Sequence, residues 1–147
     1  MHHLRVIGLM AVYMIVAGCL FDDNSNNLAP ESGLYTINSA GLERSYYLDL
    51  PGDYDPVDEP RPLIIAYHGT GGSHQAWLDS YRLREVVGDA AILVYPDALP
   101  NAANINQWDF ANDFQMFEDL LERLAAQLNF DASRLYITGH SSGGGFA

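Results

Sequence analysis

The stretch Leu135-Tyr136-Ile137-Thr138-Gly139-His140-Ser141-Ser142-Gly143-Gly144 constrains the fold more than any other part of the chain. Four strand-forming residues at 135–138 are followed without a spacer by G-x-S-x-G. A serine in that pattern sits on a sharp strand-to-helix turn, in strained backbone. Gly139, Gly143 and Gly144 stand where strand and helix approach closely and a Cβ would intrude. Held this way, the Ser141 hydroxyl projects above the carboxyl edge of a sheet, where open α/β folds place their ligands. The competing reading is a Gly/Ser-rich loop; the position directly after a strand favours the turn.

His68-Gly69-Thr70-Gly71-Gly72 follows a second apolar run, residues 63–67 (LIIAY), which has the pattern of a parallel strand buried on both faces. Acyl transfer needs donors aimed at the oxygen that becomes negative in the tetrahedral intermediate. One missing donor costs ~2.7–4 kcal/mol of barrier. The two glycine-rich turns supply a pair, the backbone N–H of Thr70 and the backbone N–H of Ser142. Gly71 and Gly72 let the main chain approach the substrate, and His68, Gly69 and Gly71 are candidate substrate-binding residues. The His68 ring is read either as a brace of this loop or as a base.

Residues 33–147 fit one α/β domain, and the length leaves room for no second one. Residues 34–37 and 44–50 read as an antiparallel hairpin around 38–42. Residues 51–62, with four Pro and four acidic residues, form a surface loop. The pattern predicts a helix over 76–87 capped by Gly88, and a buried strand over 91–95 stopped by Pro96. A long loop, 97–109, carries Trp108. From Asn112 the spacing becomes helical, with Phe114, Phe117, Leu120, Leu121, Leu124 and Leu128 on one stripe. Asn112 is the expected N-cap, with Gln115 completing a capping-box-like pair. The order β-β-β-α-β-α-β predicts a mostly parallel sheet with helices on both faces.

Residues 1–18 are a different kind of segment. After Arg5, residues 6–17 (VIGLMAVYMIVA) are almost wholly apolar. They are too short for a spanning helix, which needs ~20 residues, but suit a signal-peptide core. The run ends in Val16-Ala17-Gly18-Cys19, which resembles the lipobox of bacterial lipoproteins, cut before the Cys and acylated on it. The expectation is a lipoprotein signal peptide at 1–18, a flexible tether at 19–32 and a membrane anchor through lipidated Cys19. The protein would then be exported, to the periplasm or the outer membrane or cell surface. A plain secretory signal is the alternative.

Charge narrows the partners. Nineteen acidic residues face seven basic ones, all Arg, for a net charge of −12. Without Lys there is no Walker-A loop, and so acidic a chain does not bind nucleic acid by neutralising phosphates. The same charge disfavours anionic polymers, so an uncharged polymer suits it better. One Cys excludes an internal disulfide framework and a multi-Cys zinc site, and no metal or organic cofactor is indicated.

From Gly33 onward the motifs Tyr67-His68-Gly69-Thr70-Gly71-Gly72-Ser73, Val94-Tyr95-Pro96-Asp97 and Arg134 to Gly144 resemble secreted α/β-hydrolases. The group is the poly(3-hydroxybutyrate) depolymerase and feruloyl (acetylxylan) esterase family. The resemblance implies a Ser-His-Asp esterase acting outside the cytoplasm, with Ser141 as nucleophile. It also implies that the loop after Tyr-Pro-Asp borders the substrate pocket. Trp108 is then either a stacking surface for substrate or a core anchor.

In α/β-hydrolases the triad runs Ser, Asp or Glu, then His along the chain. This sequence stops at Ala147, six residues past Ser141. The acid and base are expected beyond it, and the 147 residues alone are expected to be an incomplete domain, poorly folded and inactive. Two other functions remain open: a serine peptidase on the same fold, and a non-catalytic surface lipoprotein that binds glycans.

Overall fold

A computed structural model describes residues 30–147. The expected signal peptide, Cys19 and most of the tether lie outside the described residues. Five strands form one mixed sheet in the order β1-β2-β4-β3-β5. β1 (Gly33–Ser39) and β2 (Leu42–Asp49) make the expected hairpin. Its two-residue turn places Ala40 and Gly41 at φ 51° and 79°, the left-handed geometry that matches strand twist. β2 runs antiparallel to β4 (Ile92–Pro96). β3 (Arg61–Tyr67) lies parallel to both β4 and β5 (Phe130–Gly139). β4 is buried along its whole length, as its continuous apolar run predicts.

Helices cover both faces. On one, Met116, Leu120 and Leu124 of α3 (Phe110–Gln127) are fully buried against Tyr46, Leu63 and Ile65 of the sheet. The stripe differs from the expected one, because Phe114 is 58% exposed and Met116 takes the buried position. The helix also begins earlier than expected. Asp109, not Asn112, is the N-cap, its carboxylate accepting the Ala111 N–H at 3.0 Å. Asp113 Oδ2 accepts the Asp109 N–H at 2.6 Å, closing a reciprocal cap.

On the other face the helix expected over 76–87 is broken. α1 (His74–Ala76) passes into a π-helical turn (Trp77–Tyr81), followed by α2 (Leu83–Val87) and a 3₁₀ turn (Gly88–Ala90). Arg82 sits at φ 50° between the π turn and α2, so the helical ladder cannot run through it. The wider turn directs Trp77 into the core, nearly parallel to Tyr95 at 6.2 Å between ring centroids, and leaves Tyr81 at the surface.

Candidate active site

β5 ends at Gly139, and α4 (Ser142–Phe146) starts three residues later. Ser141, between them, has φ 54° and ψ −121°, a conformation costing a non-glycine residue ~1–3 kcal/mol. Close packing over-determines that strain. A Cβ at Gly139 would overlap the Gly143 carbonyl, and one at Gly143 would overlap the carbonyl oxygens of Tyr67 and His68. The His140 N–H donates to Tyr67 O at 3.0 Å and fastens the elbow to the end of β3. Ser141 is exposed, and among the described hydrogen bonds its hydroxyl has no partner.

The loop at 68–72 reaches the elbow. A Cβ on Gly69 would lie 3.2 Å from Ser141 Cβ, so the nucleophile candidate stands directly on this loop. Thr70 Oγ1 donates to Ser142 Oγ at 2.9 Å. The two residues expected to supply oxyanion donors are therefore in contact, and among the described hydrogen bonds neither of their backbone N–H groups is spent on another protein group. Gly71, at φ 78°, turns the chain, and its N–H donates to Asn106 O at 2.7 Å.

His68 and Trp108, expected either to border the substrate or to brace the loop and core, are both buried, which corrects the first reading in favour of the second. His68 is 0% exposed and Trp108 5%. The Gly69 carbonyl can only accept, so His68 Nδ1–H donates to it at 2.7 Å. The Ala98 N–H donates to Nε2 at 3.1 Å. Both ring nitrogens are committed in a neutral imidazole, and burial holds its pKa below the ordinary value. Trp108 Nε1–H donates to His68 O at 2.6 Å, and its ring packs on Tyr67 and Phe146. Both residues brace the loop from beneath. An open cleft of about 780 Å³ beside Trp108 is lined by Leu99, Asn101, Gln107 and Phe110 among others, but not by Ser141.

Two groupings carried no sequence signal as pairs. Asp97, at the end of β4, accepts from the His74 backbone N–H at 2.6 Å, from His74 Nδ1–H at 2.7 Å and from Ser45 Oγ at 2.9 Å. This anchors the far end of the glycine-rich loop to the sheet. Tyr81 Oη lies 2.7 Å from His140 Nδ1. Thus His68, His74 and His140 each have a ring nitrogen engaged away from Ser141. Among the described residues no cluster of three or more His, Cys, Asp or Glu is gathered for a metal ion.

A strained serine at the end of a parallel strand, backed by glycines and facing a glycine-rich loop at the neighbouring strand's end, defines an α/β-hydrolase. Solved structures agree on the fold. A ferulic acid esterase superposes with a TM-score of 0.68 at 19% identity, over 82% of this chain and 54% of that one. An S-formylglutathione hydrolase from Agrobacterium tumefaciens gives 0.62 at 20% identity, over 79% of this chain and 50% of that one. No family model matches the chain. Among curated proteins, a probable feruloyl esterase C of Aspergillus niger is 33% identical over 127 residues, covering 79% of this chain and 42% of its own. Feruloyl esterase B of Thermothelomyces thermophilus is 33% identical over 102 residues, 61% of this chain and 34% of its own. The chain belongs with the feruloyl esterase-like α/β-hydrolases. It spans well under half the length of the curated relatives it matches.

Proposed function

We propose that the protein is a serine esterase that cleaves carboxylic esters through an acyl-enzyme. Ser141 Oγ attacks the ester carbonyl, its proton passes to a general base, and the alcohol leaves. Water then hydrolyses the Ser141 ester. The backbone N–H groups of Thr70 and Ser142 donate to the oxyanion in both steps. The observation that carries this reading is the exposed Ser141 at φ 54°, with Ser142 bonded to Thr70 at its side. Among the described residues no imidazole is hydrogen-bonded to Ser141, so none of them is assigned as the base.

The relatives' names, feruloyl esterases, support a choice of substrate class. Aromatic acyl esters of neutral polysaccharide are the favoured class, followed by acetyl esters and hydroxyalkanoate polyester. The strongly acidic chain supports a neutral polymer. Export, with anchoring through an acylated Cys19, is part of the same proposal and rests on the Val16-Ala17-Gly18-Cys19 sequence.

A fluorophosphonate probe should label the complete gene product that carries this chain, and Ser141→Ala should abolish the label. Rates on methyl ferulate, acetylated xylan and hydroxybutyrate oligomers then rank the substrates. Equal labelling of wild type and Ser141→Ala would refute the nucleophile assignment. Incorporation of radiolabelled palmitate, lost in Cys19→Ser, checks the anchor.

A further inference from the structure

We propose that Tyr81 and His140 are positioning residues that hold the glycine-rich loop in register with the elbow, so that the Thr70 and Ser142 amides act as one oxyanion site. The inference rests on the serine-esterase reading and adds to it the device that sets the donor geometry.

Two separate segments close on the His140 ring. Tyr81 Oη lies 2.7 Å from its Nδ1, with the rings tilted at 38° and 4.8 Å between centroids. From the glycine-rich loop, a Cβ at Gly69 would come within 3.0 Å of the same nitrogen and 3.4 Å of His140 O. The loop therefore rests on the imidazole at closest approach. Gly69 is not at positive φ, so closeness to His140 and Ser141 demands glycine there, not backbone conformation. Tyr81 is itself fixed by Trp77, 4.8 Å away between ring centroids, which is buried against Tyr95. A path of contacts thus runs from the core through Trp77 and Tyr81 to His140 and on to Gly69, one residue before Thr70.

Ser141 is consequently flanked by two grips on one loop, His140 on Gly69 and Ser142 on Thr70. The pair sits at the surface, Tyr81 being 38% exposed, so removing the hydrogen bond opens no core cavity. What it loosens is the placement of the Thr70 amide. Misplacement by ~1 Å can cost about 100-fold in rate. The π-helical turn explains the reach: a helix with unbroken α geometry would carry Tyr81 around on a different angle.

The test uses the complete gene product, fluorophosphonate labelling at Ser141 and steady-state hydrolysis of p-nitrophenyl acetate. Tyr81→Phe keeps the ring and removes the hydroxyl. It should lower kcat about tenfold with KM within about twofold, the pattern of an interaction needed only in the transition state. His140→Ala should do the same, and His140→Gln, whose side-chain amide can still meet the Tyr81 hydroxyl, should recover most of the loss. Melting temperatures should stay within a few degrees of wild type. Unchanged kcat in both Tyr81→Phe and His140→Ala, with wild type labelled, overturns the positioning role and leaves the esterase reading intact. So does a loss of kcat that merely follows a lowered melting temperature. A wild type that neither labels nor turns over removes both.

Discussion

The Thr70 hydroxyl donates to the Ser142 hydroxyl across 2.9 Å, joining residues 72 positions apart in the chain. This bond closes the gap between the two turns whose amides are proposed to receive the oxyanion. Thr70→Val keeps the side-chain shape and removes the donor. Turnover of an aryl acetate by the complete protein should fall about tenfold, less than the 10²–10³ of deleting an oxyanion donor, since both amides remain. Labelling of Ser141 should persist. A Thr70→Val variant with wild-type kcat would show the bridge to be incidental.

Gly139 and Gly143 are the tight points of the elbow: an added Cβ would overlap the Gly143 carbonyl at the first and the main-chain oxygens of Tyr67 and His68 at the second. Backbone on both sides leaves nothing free to move aside. Gly143→Ala and Gly139→Ala should each cost more than about 3 kcal/mol in urea unfolding. Gly144→Ala meets only Gly139 O at 3.0 Å and should cost less. Wild-type stability in Gly143→Ala would contradict the packing.

Arg44 and Asp113 form an ion pair at 2.6 Å with side chains 1% and 4% exposed. Arg44 Nη2 also donates to Asp97 O at 3.2 Å, so the pair ties α3 to β2 and to the end of β4. Asp113→Ala strands a buried guanidinium and should destabilise by ~3–5 kcal/mol. An apolar double replacement, Arg44→Met with Asp113→Leu, should cost much less. Calorimetry on the three proteins distinguishes these outcomes.

His68 gives the fold a pH dependence whose sign is fixed. Burial lowers its folded pKa below the unfolded value of ~6.5, so the unfolded chain binds the extra proton first. Stability from this group is complete above about pH 6.5 and declines as pH falls toward the folded pKa. The melting temperature should drop as pH falls below about 6.5, and His68→Asn, less stable overall, should show a shallower acid-side slope. An equal slope in the variant would assign the effect elsewhere.

Much of the fold follows from local pattern. The apolar runs at 63–67 and 91–95 became β3 and β4, and the hairpin and the strand before the elbow lie where their residues predict. The first helical segment was misread because Arg82 adopts a left-handed conformation that no residue type in 76–87 announces. The α3 stripe was misread because Asp113 is buried by its partner Arg44, turning Phe114 outward and Met116 inward. For His68 and Trp108 the sequence left the substrate side and the interior both open, because a ring in a loop carries no mark of which way it faces.

The sequence by itself determined the turns: glycines at 139 and 143 and a serine between them admit few backbone paths, and sterics at that range need no distant partner. Only the tertiary structure decided which side chains meet across them. Thr70 finds Ser142, Tyr81 finds His140 and Arg44 finds Asp113 because the strand order β1-β2-β4-β3-β5 brings together segments far apart in the chain. Such pairings are set by packing of whole layers, which short-range periodicity does not encode.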